Sequence, residues 1–233
     1  MVQKMWLPLA LTLLAGACLV PAQAADKLST VTPVADLVAE AELKLKELEG
    51  FVADGDTYTK NKKKGIPQAA GTLAVLAQGI AEHDEESAWK KSAADIRDAA
   101  LSIAKAATGG KGADAKVEHA WDKLIDMDSL MSEVSKRNNG LRKTFRKAPD
   151  DAVAASRDAS VLAVLALVIE ADTHEVKDKA DIEKWKTYSK QLQTSMTKIS
   201  AALKAKKDAD GKALFLGDAA GSCNKCHTEI RDK

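Results

Sequence analysis

Apolar residues recur along most of this chain at intervals of three and four, the spacing that lines one face of an α-helix. Leu37, Ala41, Leu45 and Leu48 form the first seam. Val31-Thr32-Pro33 opens it: Thr32 suits a capping position and Pro33 the first helical one. Gly50 to Gly65, with Lys60, Lys62, Lys63 and Lys64, reads as a long solvated linker. Ile66-Pro67 starts a second helix through Leu73, Leu76 and Ile80. Trp89, Ala93, Ile96, Ala100, Ile103 and Ala107 make a third seam, ended by Thr108-Gly109-Gly110-Lys111-Gly112. Val117, Trp121, Leu124, Met127, Met131, Val134, Leu141 and Phe145 follow as one long helix, or as two that meet near Asp126-Met127-Asp128. Polar Asn138 interrupts that seam.

Lys147-Ala148-Pro149-Asp150-Asp151 is a break and restart. Val161 to Ile169 is apolar on every side, which fits a buried helix or a buried strand by pattern alone. Its alanines and helical neighbours favour a helix. Asp181 precedes another seam, Ile182, Trp185, Leu192, Met196, Ile199 and Leu203. Asp208-Ala209-Asp210-Gly211 separates it from a final helix, on which Ala213, Leu216, Ala220, Cys223, His227 and Ile230 share the face expected to point into the bundle.

The seams repeat. At a shift of 96, Trp89, Ile96 and Ile103 match Trp185, Leu192 and Ile199, and Lys111–Lys116 matches Lys207–Lys212. At a shift of 89, Leu73–Ala77 matches Leu162–Ala166. Carried onward, the larger shift sets Cys223, Cys226 and His227 against Met127, Leu130 and Met131, so the first half reads as the same helical unit without the cysteines. The expected fold class is all-α, with tandem antiparallel helical bundles over residues 25–126 and 127–233.

Composition agrees. Of 233 residues, 45% are apolar and 30% charged, enough for a core and a soluble surface, while only 4% are aromatic. Residues 1–24 read as a leader rather than fold: Lys4 makes a positive start, Trp6 to Val20 is apolar, and Ala22-Gln23-Ala24 is a small-x-small cleavage site. The mature chain then starts at Ala25, and the expected location is the periplasm or another exported compartment. Lipid attachment at Cys18 is the alternative. Cleavage removes Lys4 and Cys18, which leaves 34 basic residues against 34 acidic ones. That balance carries neither a nucleic-acid footprint nor a polybasic membrane patch, and no later apolar run reaches spanning length.

Cys223 and Cys226 then remain as the only cysteines, in Cys223-Asn224-Lys225-Cys226-His227. Cys-x-x-Cys-His is the sequence that carries a c-type haem. On a helix, positions i and i+3 lie on one side, so two thiols reach the two vinyl groups of one porphyrin. His227 can then offer an imidazole nitrogen to the iron. Other uses of the pair fit less well. A thioredoxin-type pair needs a βαβ setting, a zinc site needs a second pair of ligands, and a disulfide across two helical residues is strained.

The stretch Phe215 to Arg231 resembles the last helix of the cytochrome c′ family, in which the haem motif ends the last helix of a four-helix bundle. The family's aromatic residue after the motif is Ile230 here, and its basic residue is Arg231. The resemblance implies that Cys223 and Cys226 hold one haem c by thioethers, that His227 is the proximal iron ligand, and that Arg231 lies near a haem propionate. It makes residues 127–233 the cytochrome c′-like bundle. It also implies that the first helix of that bundle faces the iron's other side, with Met131 as a candidate sixth ligand and Met127 a lesser one; a methionine on a seam is also ordinary core filler. His83 and His174 sit among polar residues and read as solvated, and His119 lies off the seam.

The expected function is one-electron transfer by an exported monohaem cytochrome, serving a redox partner protein. No acid–base or nucleophile constellation suggests an enzyme. The rival is a five-coordinate haem that binds NO or CO; a purely structural haem is a further one. The haem-free half could stand in for the second subunit of a dimer, which predicts a compact monomer.

Overall fold

The computed structural model describes residues 27–109, 119–146 and 151–232, and the described residues are helical, with no strand among them. The leader with Cys18, the Lys111–Lys116 half of the repeat, Val117 and most of the break at Lys147–Asp150 lie outside the described residues. The long helices are α1 (Val34–Phe51), α3 (Gly65–Glu82), α4 (Ala93–Ala107), α5 (Met127–Thr144), α6 (Ala152–Ala171) and α7 (Ile182–Lys204). A short α2 (Gly55–Asn61) lies inside the expected linker. It forms because Asp54 accepts the Thr57 N–H at 2.8 Å and closes the first turn; no α2 residue is buried, so the segment is solvated but not a loop. Asp126 and Asp151 cap α5 and α6 in the same way, from Ser129 and Ala154. The cap at Asp126, preceded by a 3₁₀ turn at Trp121–Lys123, settles the seam from Trp121 onward as two segments.

Other local expectations shift by a residue or a turn. Pro33 is the N-cap of α1 and Val34 its first residue. Thr32 caps nothing: its hydroxyl is buried without a partner, and its carbonyl accepts from His83. Trp89 lies in a turn before α4. Asp208–Gly211 does not separate two helices but begins α8 (Asp208–Leu214), because acidic residues favour a helix N-terminus. The true stop is Lys206, in the left-handed region at φ 56°. There the Lys206 and Lys207 N–H groups donate to Leu203 and Ala202 carbonyls at 3.0 and 2.8 Å, closing the end of α7.

The inner helices are α3 and α6. Every residue from Ala69 to Ile80 and from Ala159 to Ala166 is buried. α3 packs on α1, α4, α5 and α6, and α6 packs on α1, α5 and α7. α6 is long and apolar enough to cross a membrane, contrary to the sequence expectation of no such run, but two-thirds of it is buried inside the protein. One contiguous core draws on both halves of the chain.

The halves also share ion pairs. Glu40 and Lys44 of α1 meet Arg137 and Glu133 of α5 at 2.8 and 3.0 Å, all four side chains almost fully buried. Arg137 bonds Glu133 at 2.7 Å and Asp158 of α6 at 2.8 Å, and Gln68 donates to Glu133. Burial pushes the Glu133 carboxyl up, but Arg137 and Lys44 outweigh it and hold it at about 2. The buried residues Leu37, Glu40, Lys44 and Leu48 of α1 recur 93 positions later as Leu130, Glu133, Arg137 and Leu141 of α5. This correspondence replaces the pairing of Met127–Met131 with the cysteine helix: Met127 begins α5, the counterpart of α1.

Candidate haem-attachment site

The motif lies in one continuous helical run made of α8, a π-helical turn at Phe215–Ala219, α9 (Ala220–Cys226) and a second π turn at His227–Arg231. π turns inside helices are frequent at functional sites. The run is held by its buried residues Gly211, Phe215, Ala219, Ser222 and Ile230 against α7 and the core. The Tyr188 hydroxyl of α7 donates to Glu229 at 2.7 Å, two residues past His227. Gly211 lets the run approach Phe145, whose ring carbons would lie 3.4 Å from a Cβ there. The Phe145 and Phe215 rings pack with centroids 5.3 Å apart.

Correcting the sequence expectation, the buried stripe is offset from the motif face. Ala213 is exposed, Leu216 is 61% exposed, and Cys223 and His227 sit at the edge of the core. The run is turned so that Cys223 and Asn224 open beside α5, while Cys226 and His227 do not line the same space. There a cavity of about 490 Å³ separates α5 from the motif helix. Asn138 and Arg142 of α5, with Phe145 and Arg146 just past its end, form one wall; Lys212, Phe215, Leu216, Ala220, Cys223 and Asn224 form the other. Sequence reasoning did not single out Arg142 and Arg146, and the polar break at Asn138 does not mark them, because the core seam continues past it through Leu141 and Phe145.

The donor set suits a c-type haem. Cys223 and Cys226 are free thiols, three residues apart on one helix. Burial pushes Cys223 up, and burial with the neighbouring Cys223 pushes Cys226 up to about 11. Neither is the activated thiolate that a redox dithiol requires. Burial, with Arg231 nearby, pulls His227 down, so its imidazole is neutral near pH 7 and keeps a nitrogen lone pair for iron. Apolar surface at Leu216, Phe215 and Phe145 lies in the adjoining cavity, which has the volume of a small-molecule site. No group of three His, Cys, Asp or Glu side chains converges among the described residues, so none competes as a site for another ion.

The remaining predicted residues are distributed as follows. Met127 and Met131 are partly buried on α5 and touch the core, but do not line the cavity. α5 and the motif helix run antiparallel, Phe145 against Phe215 and Asn138 near Cys223. Met131 lies seven residues before Asn138, about 10 Å along α5, and His227 about 6 Å beyond Cys223 in the same direction. Arg231 is exposed and bonded to Asp232 at 2.7 Å. His174 is exposed, against Asp172, and His119 bonds Asp98 at 2.9 Å. His83, expected to be solvated, is fully buried: Nε2 donates to the Thr32 carbonyl at 2.9 Å and Nδ1 accepts the Glu85 N–H at 3.0 Å. It fastens the segment before α1 to the end of α3.

No protein-family model matches the chain, and neither the curated proteins nor the solved structures searched contain a match.

Proposed function

We propose that this chain is an exported monohaem c-type cytochrome whose work is one-electron transfer. The observation that carries the reading is Cys223-x-x-Cys226-His227 on one helix, with a neutral imidazole and an adjoining cavity walled partly by aromatic and aliphatic side chains. Bound there, haem would supply a one-electron Fe(III)/Fe(II) couple. Cys223 and Cys226 would hold it by thioethers and His227 would take the proximal position. Phe145, Phe215 and Leu216 would keep water from its faces, and α5 would set what the iron meets opposite His227.

A second reading has an observation of its own. The α5 wall beside Cys223 contains Asn138 and no methionine. An iron left five-coordinate would bind NO or CO. In the first reading Met131, or failing it Met127, supplies the sixth ligand. Absorption spectra of the oxidised and reduced protein with and without CO separate the two. Electron transfer predicts low-spin bands that CO leaves unchanged; high-spin bands that move on CO addition overturn it in favour of gas binding.

The resemblance to cytochrome c′ enters at the same level. α5, α6, α7 and the motif helix would form the family's bundle over residues 127–233, and α1, α3 and α4 a haem-free counterpart within 25–126. Supporting this are the 93-residue correspondence of α1 with α5 and the reciprocal pairs Glu40–Arg137 and Glu133–Lys44. Reciprocal pairing of equivalent residues is the mark of a two-fold interface. The N-terminal half would thus take the place of a second subunit. Export follows from the leader, since covalent haem attachment in bacteria takes place outside the cytoplasm.

A further inference from the structure

We infer that the outer face of α4, with the end of α1, is a docking groove for a basic amphipathic helix of a partner protein; the inference stands apart from the haem reading. The internal correspondence carries it. α4 matches α7 at a shift of 96, and α1 matches α5 at a shift of 93. In the second half the motif run packs along α7. Its contacts fall on one stripe of α7: Tyr188 bonds Glu229, a Cβ at Gly211 would lie 3.7 Å from Ala202, and Ser195 shares a groove with Gly217, Gly221 and Ser222. Leu192 and Ile199 complete the stripe at alternating spacings of four and three. Leu192, Ser195, Ile199 and Ala202 are all buried.

The equivalent stripe in the first half is Ser92, at the start of α4, with Ile96, Ala99, Ile103 and Ala106. Its spacing is the same and its side chains are similar, but its surroundings differ. Ser92, Ala99 and Ala106 are exposed, and Ile103 is 41% exposed where its counterpart Ile199 is fully buried. Val52, just past the end of α1, is 55% exposed, whereas its counterpart Phe145 is buried against Phe215 of the run. Two aliphatic side chains thus stand in solvent at positions that are buried beside the motif run in the other half. A seam of aliphatic and small side chains at this spacing is what a second helix packs into. Charge sets the partner's sign. Arg142, Lys190 and Lys198 beside the motif run become Glu49, Ala94 and Ser102, and Gln191 becomes Asp95. Lys91 replaces Thr187, and the balance still shifts toward acid. Glu49 and Asp95 are exposed and have no ion pair with a described residue. The groove therefore favours a helix with cations flanking its apolar seam.

The test uses the full chain and a fluorescent peptide of residues 208–231 carrying C223S/C226S, a helix whose fit to the equivalent stripe the fold displays. A second peptide adds Asp218→Lys, because Asp218 shares the α7 groove with Gln191, the counterpart of Asp95. Fluorescence anisotropy should show both peptides binding, the lysine version about fivefold tighter at low salt and less so as salt is added. V52D/I103D changes two exposed positions and leaves the core intact; it should weaken both peptides about tenfold. E49Q/D95N should remove the preference for the lysine version. No binding by either peptide overturns the groove. Binding that V52D/I103D leaves unchanged overturns it too, because the peptide would then be displacing the motif run. Equal affinity of the two peptides overturns the basic partner. A dimer of the chain that forms on concentration and is lost in V52D/I103D gives the groove to a second copy and overturns the partner protein.

Discussion

Glu133 is a buried residue through which acidity reaches the fold. Its carboxyl is held at about 2, below its ordinary 4.5, so its contribution is fully present above about pH 4.5 and is lost as pH falls through 2. The window corresponds to about 3 kcal/mol as an order of magnitude. Asp158, raised by burial, works in the opposite direction and softens the loss. Urea midpoints measured from pH 6 to pH 3 should fall in the wild type and fall less steeply in Glu133→Gln. Equal slopes would place the acid sensitivity elsewhere. The cysteines and His227 were legible at this scale because their chemistry is tied to spacing. The buried quartet was not, since a charged residue on a helix ordinarily reads as solvated face. Its signal was the pattern Leu-x-x-Glu-x-x-x-Lys or Arg-x-x-x-Leu, present at Leu37 and again at Leu130.

At the scale of elements, periodicity located the long helices, and the apolar block at Val161–Ile169 lies in α6, a helix buried from several sides. What it did not locate were the ends and the rotation of the last helix. A glycine in Asp208–Gly211 suggested a loop, whereas the chain breaks at Lys206, a residue with no sequence preference for φ 56°. A left-handed Lys costs about 1–2 kcal/mol that glycine avoids. Lys206→Gly should therefore stabilise the protein by about 1 kcal/mol, seen as a higher urea midpoint with an unchanged slope; a lower midpoint would contradict the stop assigned there. The motif face was misplaced by one position because Cys223 and His227 were read as part of the core stripe. In the fold that stripe is Phe215, Ala219, Ser222 and Ile230, and Cys223 lies beside it, lining the cavity.

For the whole molecule, one core and the α1–α5 ion pairs join what sequence similarity divided at residue 126. The repeat was visible as matching seams, but seams do not say whether two units share an interface; that depends on which faces are buried, and α3 and α6 bury nearly all of theirs. Because α1 and α3 already cover α5 and α6, the full chain should sediment as a compact monomer across concentration. A concentration-dependent dimer would count against the N-terminal half as an internal partner.

The central claim is a haem bonded to Cys223 and Cys226, and the most direct measurement is retention of haem by the denatured chain. The protein would be expressed in cells with a haem-attachment system, unfolded, and extracted with acidified organic solvent. The account predicts that the haem absorption bands stay with the polypeptide in the wild type and are removed in C223A/C226A. Bands that extract from the wild type, or a wild-type protein that carries none, would contradict it.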